Sequence, residues 1–339
     1  MHLTRRAFAL SSAALAASPA MAANARKPIV IAHRGASGER PEHTLMAYRL
    51  AIEEGADFIE PDLVVTKDGH LVVRHENEIA GTTDVADRPE FAGRKSIKTI
   101  DGERVEGWFT EDFMLSELKT LRARERLPQL RPASAKFDGR EAIATFQEVV
   151  DLARAESGRT GRVIGLYPEM KHPAYFASIG LPIEGRLAQA LKDNGLDSAQ
   201  AAVFVQCFEP QPLKTFKTLS KARRVQLVGA DRPDMVSAEG LKHIAEYADG
   251  VGPDWSLVIP TKDGALGAPT ALVAQARALG LEVHPWTVRA ENRFLPADLR
   301  NGEDPAAHGD AGAVLKALYA AGVTGVFSDF PALAVQARG

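Results

Sequence analysis

The stretch Ile29-Val-Ile-Ala-His33-Arg34-Gly35-Ala-Ser-Gly-Glu39-Arg-Pro41-Glu42-His43-Thr44, continued by Phe58-Ile-Glu60-Pro-Asp62-Leu-Val-Val-Thr66-Lys-Asp-Gly69-His-Leu-Val-Val-Arg-His75-Glu76, decides how the chain reads. An apolar run ends in His-Arg-Gly, and a helix-like segment follows. A second apolar run passes through Glu-Pro-Asp before a turn returns the chain to a histidine. Thr66-Lys67-Asp68-Gly69 between two valine-rich runs predicts a hairpin. A turn centred between Lys67 and Asp68 sets residues whose numbers sum to about 135 opposite one another, which pairs Glu60 with His75. Glu60 and Asp62, two apart in a strand, share a face. Two carboxylates and an imidazole therefore converge in a pattern suited to a metal and a phosphate.

Outward from this stretch, short apolar runs alternate with helical patterns. Strands are expected at 28–34, 58–62, 163–169, 202–208, 224–229, 249–254, 281–288 and 323–329. Helices are expected at 42–55, 144–157, 183–194, 210–221, 237–248, 268–279 and 310–321, several of them followed by glycine. Eight strands with helices between them predict an α/β fold, a (β/α)₈ TIM barrel, with the 63–75 hairpin extending beyond the second strand. His33, Glu60, Asp62, Glu169, Phe208, Asp254, Trp286 and Asp329 then fall at or near the C-terminal ends of strands, the face on which such barrels build sites. An open doubly wound sheet gives no reason for that coincidence. Residues 77–142 interrupt the alternation and are too long for a plain loop. They read as a lobe inserted after the second strand, with a helix at 115–125 whose solvated face carries Arg122-Ala-Arg124-Glu-Arg126.

The 339 residues, 45% apolar and 25% charged, fit a soluble globular chain. The formal net charge is −3, and no basic arm or aromatic and basic interleaving suggests nucleic acid. Thr4-Arg5-Arg6-Ala-Phe8, a short apolar run and Ala20-Met21-Ala22 form the pattern of a cleaved twin-arginine leader over residues 1–25. The expected mature chain is then 26–339, periplasmic or secreted, with no stable membrane insertion because the apolar run is too short to span. Cys207, the single cysteine, forms no internal disulfide and reads as a small buried residue. The sequence specifies no oligomeric state.

Glu60, Asp62 and Glu169 form an all-oxygen set, which selects Ca²⁺ or Mg²⁺ over Zn²⁺. Without a cation they would repel one another strongly. Lys171 shares the face of Glu169 and is a donor to a phosphate oxygen or a carboxylate. His33 and His75 are the acid and base candidates, since imidazole titrates near neutrality. Arg34 offers a planar fork to two phosphate oxygens. Glu42 reads as a favourable charge at a helix start and a loop-holding acceptor. Phe208 and Trp286 are candidates for the floor under the carbon part of a substrate. His43, His70, His172, His243, His284 and His308 show no such company.

His33-Arg34-Gly35, Pro41-Glu42-His43-Thr44, Glu60-x-Asp62, Thr66-Lys67-Asp68-Gly69, His75, Glu169-x-Lys171, Phe208, Trp286-Thr287 and Ser328-Asp329-Phe330-Pro331 together resemble the glycerophosphodiester phosphodiesterase family over residues 28–332. The resemblance implies a distorted barrel that hydrolyses glycerophosphodiesters, such as glycerophosphocholine or glycerophosphoethanolamine, to sn-glycerol 3-phosphate and an alcohol. It assigns one divalent ion, Ca²⁺ or Mg²⁺, to Glu60, Asp62 and Glu169, acid and base roles to His33 and His75, and the phosphate to Arg34 and Lys171. It offers a ligand role for Glu42, and the 2-hydroxyl of the glycerol or water as nucleophile. Glu76 stands where many members carry aspartate. Two competing readings are a phospholipase D-like or phosphoinositide phospholipase-like enzyme on intact lipid, which would need an apolar rim, and a non-catalytic binding protein, which would have lost a histidine.

Overall fold

A computed structural model describes residues 27–339; the leader read over 1–25 lies outside the described residues. Eight strand positions close into a parallel barrel. Ile29–His33 (β1) pairs with the last strand, Ile29 level with Gly325 and Ala32 with Ser328, and on its other side sets His33 level with Glu60. The second position is split into Phe58–Glu60 (β2) and Asp62–Val65 (β3), and Leu71–Val73 (β4) returns antiparallel on β3. Ser96–Ile100 (β5) and Glu103–Gly107 (β6) form a separate antiparallel hairpin. The third position is again split, into Gly165–Leu166 (β7) and Glu169–Met170 (β8). Phe204–Cys207 (β9), Arg223–Val228 (β10) and Gly250–Pro253 (β11) follow. Beyond the small hairpin of Thr261–Lys262 (β12) and Ala265–Leu266 (β13) come Glu282–Val283 (β14) and Gly325–Ser328 (β15). Bridges Asp254 to Trp286 and Val288 to Ser328 carry the pairing past β14 to β15.

Both splits fall at proline, Pro61 and Pro168, for one physical reason. Proline has no N–H to give to a ladder, but its carbonyl still accepts. Pro61 O takes the Glu169 N–H at 2.9 Å, and Pro168 O takes the Gln206 N–H at 2.9 Å. Asp62, Glu169 and Gln206 are thereby set level on three adjacent strands. Inside the barrel, Phe58, Tyr167, Phe204 and Phe327 pack with ring centroids 5.0 to 6.1 Å apart. A Cβ on Gly165 would sit 2.2 Å from the Phe58 ring, so only glycine fits there.

The predicted helices form at Leu45–Glu53, Phe146–Thr160, Ile183–Asp193, Pro210–Leu219, Ala238–Ala245, Leu272–Ala278 and Ala311–Ala320. The Phe146–Thr160 helix begins in a capping box, with Thr145 accepting from the Glu148 N–H, and stops at Gly161 (φ 68°). A final helix, Pro331–Arg338, was not expected from the pattern. No helix among the described residues is long and apolar enough to cross a membrane.

Two local expectations are corrected. The hairpin sets Leu63 opposite Val73 and Val65 opposite Leu71, one residue away from the expected register. Thr66 N–H closes the turn on His70 O, so three residues with Gly69 at φ 83° lie inside it and its centre is Asp68. Continued, that register sets His75 level with Pro61 rather than Glu60. The helix expected at 115–125 stops at Leu118. Ala123 instead bridges Thr83, and the Arg122 N–H donates to Asp84 Oδ1 at 2.7 Å, so Arg122 to Arg126 run extended rather than along a solvated helix face. Tertiary partners outweigh a weak local propensity here.

Candidate active site

The site begins where β1 ends. Arg34 (φ 59°) and Gly35 (φ 87°) turn the chain sharply after His33. A Cβ on Gly35 would meet the Ala47 backbone at 2.7 Å, which accounts for the glycine of His-Arg-Gly. The turn aims the Arg34 N–H at Glu60 Oε2, 2.8 Å away. Glu60 Oε1 accepts from Gln206 Nε2 at 3.0 Å. Asp62 Oδ2 lies 2.8 Å from His43 Nε2 and 3.3 Å from Arg34 Nε, while Lys171 Nζ lies 3.3 Å from Asp62 Oδ1 and 2.6 Å from Glu169 Oε1.

Glu60, Asp62 and Glu169 are all buried, and each offers an oxygen within 4.8 Å of the others. Burial, reinforced by the charges of Asp62 and Glu169, pushes the Glu60 carboxyl well above its ordinary value. Burial also raises Glu169, to about 8, although Lys171 pulls it down. Burial opposes ionisation of Asp62 as well, but Lys171 and the His43 hydrogen bond hold it well below the usual carboxylate range. A buried all-oxygen triad whose members resist one another's ionisation fits a hard divalent cation.

The two histidines line one hollow with Glu60 and Glu169 of this triad. His33 Nδ1 lies 2.6 Å from Asp329 Oδ1, and His75 Nδ1 lies 2.5 Å from Glu76 Oε1. Both carboxylates are held ionised, Asp329 by Arg289 and Arg131 and Glu76 by His75 and Arg126, each against the opposing effect of burial. Each Nδ1 therefore carries the proton and donates, which leaves Nε2 to face a substrate. Burial, then Arg34, lowers His33 to about 4; burial, then Arg34 and Lys171, lowers His75 to about 3.

His33, Arg34, Glu60, His75, Glu169, Lys171, Phe208 and Trp286 line one hollow, and Asp62, 1% exposed, joins them through its contacts with Arg34, Lys171 and the other two carboxylates, so the structure brings together every sequence-predicted site residue. Phe208, 42% exposed, meets Trp286 edge to face at 5.4 Å, and Trp286 Nε1 is anchored on Gly252 O at 2.7 Å. A separate surface hollow over Asn292, Arg293, Arg300 and Glu303 contains none of these residues.

Several roles escaped the sequence. In sequence His43 has no such company, yet it is fully buried and bonded between Asp62 and the Tyr48 hydroxyl. The only signal was its place in Pro-Glu-His-Thr. Glu42 is the loop-holding acceptor that was expected, taking Arg34 Nη1, but its bonds from two nitrogens of Arg126 had no signal. Glu76 buttresses His75 from outside the carboxylate triad. Gln206 had no signal at all.

The chain matches the model of the glycerophosphoryl diester phosphodiesterase family over residues 33–333. It is 35% identical to the glycerophosphodiester phosphodiesterase GDPD6 of Arabidopsis thaliana, over 90% of this chain and 84% of that one. It is 31% identical to a glycerophosphodiester phosphodiesterase of Haemophilus influenzae, over 91% and 89%. In fold it is similar to an Oleispira antarctica phosphodiesterase solved with the product sn-glycerol-3-phosphate, with a TM-score of 0.61 at 21% identity over 91% of this chain and 96% of that one. A glycerophosphodiester phosphodiesterase of Agrobacterium tumefaciens gives a TM-score of 0.59 at 18% identity, over 91% and 99%. With a family match spanning nearly the whole barrel and relatives above 30% identity along most of both chains, this chain belongs to the glycerophosphoryl diester phosphodiesterase family and is an enzyme of that kind.

Proposed function

We propose that this chain hydrolyses glycerophosphodiesters with small alcohol groups, such as glycerophosphocholine or glycerophosphoethanolamine, to sn-glycerol 3-phosphate and the alcohol. The observation that carries the reading is the pair of carboxylate-buttressed histidines, His33 with Asp329 and His75 with Glu76, in one hollow with the Glu60, Asp62 and Glu169 triad. The product named for the Oleispira antarctica enzyme has the same chemistry. Glu60, Asp62 and Glu169 would hold one Ca²⁺ or Mg²⁺, which when bound supplies Lewis-acid polarisation of the phosphoryl oxygens.

The chain's own groups do the rest. Arg34 and Lys171 line the hollow and balance the negative phosphodiester. One histidine Nε2 accepts the proton of the attacking hydroxyl, from water or the glycerol 2-hydroxyl, as the new P–O bond forms. The other donates a proton to the departing alkoxide as the old P–O bond breaks. Where the glycerol 2-hydroxyl attacks, the new bond closes a cyclic phosphate, and water then opens it to sn-glycerol 3-phosphate with the two histidines exchanging roles. Both imidazoles are neutral at pH 7 with the phosphate absent, and an arriving anion favours protonation of the one beside the leaving group. Phe208 and Trp286 give an apolar wall for the carbon part of the substrate. We read residues 26–339 as the mature catalytic barrel, 77–142 as its lobe and 1–25 as a twin-arginine leader, which places the enzyme in the periplasm or outside the cell.

The test is release of sn-glycerol 3-phosphate from glycerophosphocholine by the purified mature chain. Release is expected, to be abolished by EDTA and restored by Ca²⁺ or Mg²⁺. His33→Ala and His75→Ala should each lose at least about 10²-fold in kcat. Release indifferent to EDTA would remove the metal from the reading, and variants within tenfold of wild type would remove the acid and base assignment.

A further inference from the structure

The segment between the barrel's second and third strands reaches the site at two points, and both are arginines. Arg126 grips Glu76 with two hydrogen bonds, Nη1 to Oε1 at 3.0 Å and Nη2 to Oε2 at 2.6 Å. Glu76 Oε1 is the oxygen on His75 Nδ1. Arg131 Nη2 holds Asp329 Oδ2 at 2.5 Å, while Asp329 Oδ1 takes His33 Nδ1. Each histidine thus rests on a carboxylate that is itself gripped from the same short strap. We propose that residues Arg126 to Arg131 are a positioning device that fixes Glu76 and Asp329, and through them the aim of His75 and His33, without touching substrate. This rests on the reading of those histidines as acid and base.

The strap is built to hold still. Glu125, buried, accepts from the Leu127 N–H at 2.8 Å and the Ser134 hydroxyl at 2.5 Å. The Arg131 N–H closes on Leu127 O at 2.8 Å, and Ala123 is bridged to Thr83. Arg131 is further fixed by Glu291 Oε1 at 2.6 Å and Ser37 O at 2.8 Å, and Arg289 Nε shares Asp329 Oδ2 at 3.0 Å. Arg126 also binds both oxygens of Glu42, so its guanidinium lies between two carboxylates and cannot follow one of them away. A carboxylate with both oxygens engaged by a planar fork has its plane set. The device matters most for His75. Its side chain is 29% exposed against 12% for His33, so packing restrains it less and Glu76 must restrain it more.

The experiment is a double-mutant cycle in the full mature chain with glycerophosphocholine and saturating metal: Arg126→Met, Glu76→Gln and the pair. Arg126→Met should lower kcat about 10- to 100-fold, the range seen when support behind a site group is removed, with KM within about threefold. The pair should be no worse than the weaker single variant by more than about threefold, because both changes break one chain of contacts. Arg126→Lys, which restores charge without the fork, should recover part of kcat. Arg131→Lys, chosen because full truncation would strand two buried carboxylates, should lower kcat in the same sense at unchanged KM. With His75→Ala inactive, an Arg126→Met kcat within twofold of wild type, or losses that multiply in the pair, overturns the strap alone. With His75→Ala active, the acid and base reading falls and takes the strap with it.

Discussion

Protons and a cation compete for the same three oxygens at the bottom of the site. Burial holds Glu60 well above its ordinary value and Glu169 at about 8, so one or both carry a proton near neutrality when no cation is present. A cation must displace that proton, and its apparent affinity therefore rises with pH until the carboxyls ionise unaided. Isothermal titration of Ca²⁺ or Mg²⁺ at pH 6, 7 and 8 should show Kd falling, by up to about tenfold per unit for one displaced proton. Repeating it in buffers of different ionisation enthalpy should show protons released. A Kd flat with pH and no proton release would remove these carboxyls as the ligand set. The triad was legible because Glu-x-Asp and Glu-x-Lys sit at strand ends, a pattern readable along one chain. His43 and Gln206 were not, since their partners Asp62 and Glu60 are fixed by how strands lie beside one another, and nothing local in either residue reports that.

The element that aims His33 is the turn between β1 and the helix Leu45–Glu53, and Gly35 is its tightest point. Two costs meet there. A side chain at φ 87° is strained by about 1–3 kcal/mol, and its Cβ would also lie 2.7 to 2.9 Å from Ala47 atoms that are mostly backbone. Gly161 separates these costs, since it has φ 68° but open space around its missing Cβ. Gly35→Ala should therefore lower the thermal midpoint clearly more than Gly161→Ala, and only Gly35→Ala should also lower kcat, by moving His33. Equal midpoint shifts for the two would show that the contact with Ala47 carries no cost. The barrel strands were legible as elements because parallel strands buried on both faces are short apolar runs punctuated by polar residues at their ends. The hairpin register and the 115–125 segment were not. A one-residue difference in turn length shifts every pair, and Arg122 and Arg124 take their backbone partners from Asp84 and Thr82, far away in sequence.

At the scale of the whole molecule, four histidines, His33, His43, His75 and His284, are lowered chiefly by burial and held neutral, and folding is linked to pH through all of them. His33 is lowered to about 4, and His75 and His284 to about 3, with burial the largest cause in each. In the unfolded chain each titrates near 6.5. Between the folded and unfolded values the unfolded chain binds more protons, so this stability is complete above about pH 6.5 and is lost as pH falls toward 4 and 3. Glu60 and Glu169 act with the opposite sign, because their raised carboxyls keep protons in the folded state, and a total slope would mix the two effects. His284 allows them to be separated. It is 1% exposed, sits inside the barrel with Nδ1 2.8 Å from the Tyr167 hydroxyl, and is not part of the triad or the substrate hollow. Replacing it with glutamine removes one titrating group and leaves the carboxyls as they were. Urea unfolding at pH 6.0, 5.25 and 4.5 should show the wild-type chain losing stability faster than His284→Gln, by about 1.4 kcal/mol for each pH unit, the value of one proton excluded from the folded state. Parallel slopes for the two proteins would mean that His284 is protonated within the fold, and that acid sensitivity comes from the site rather than from the barrel's interior.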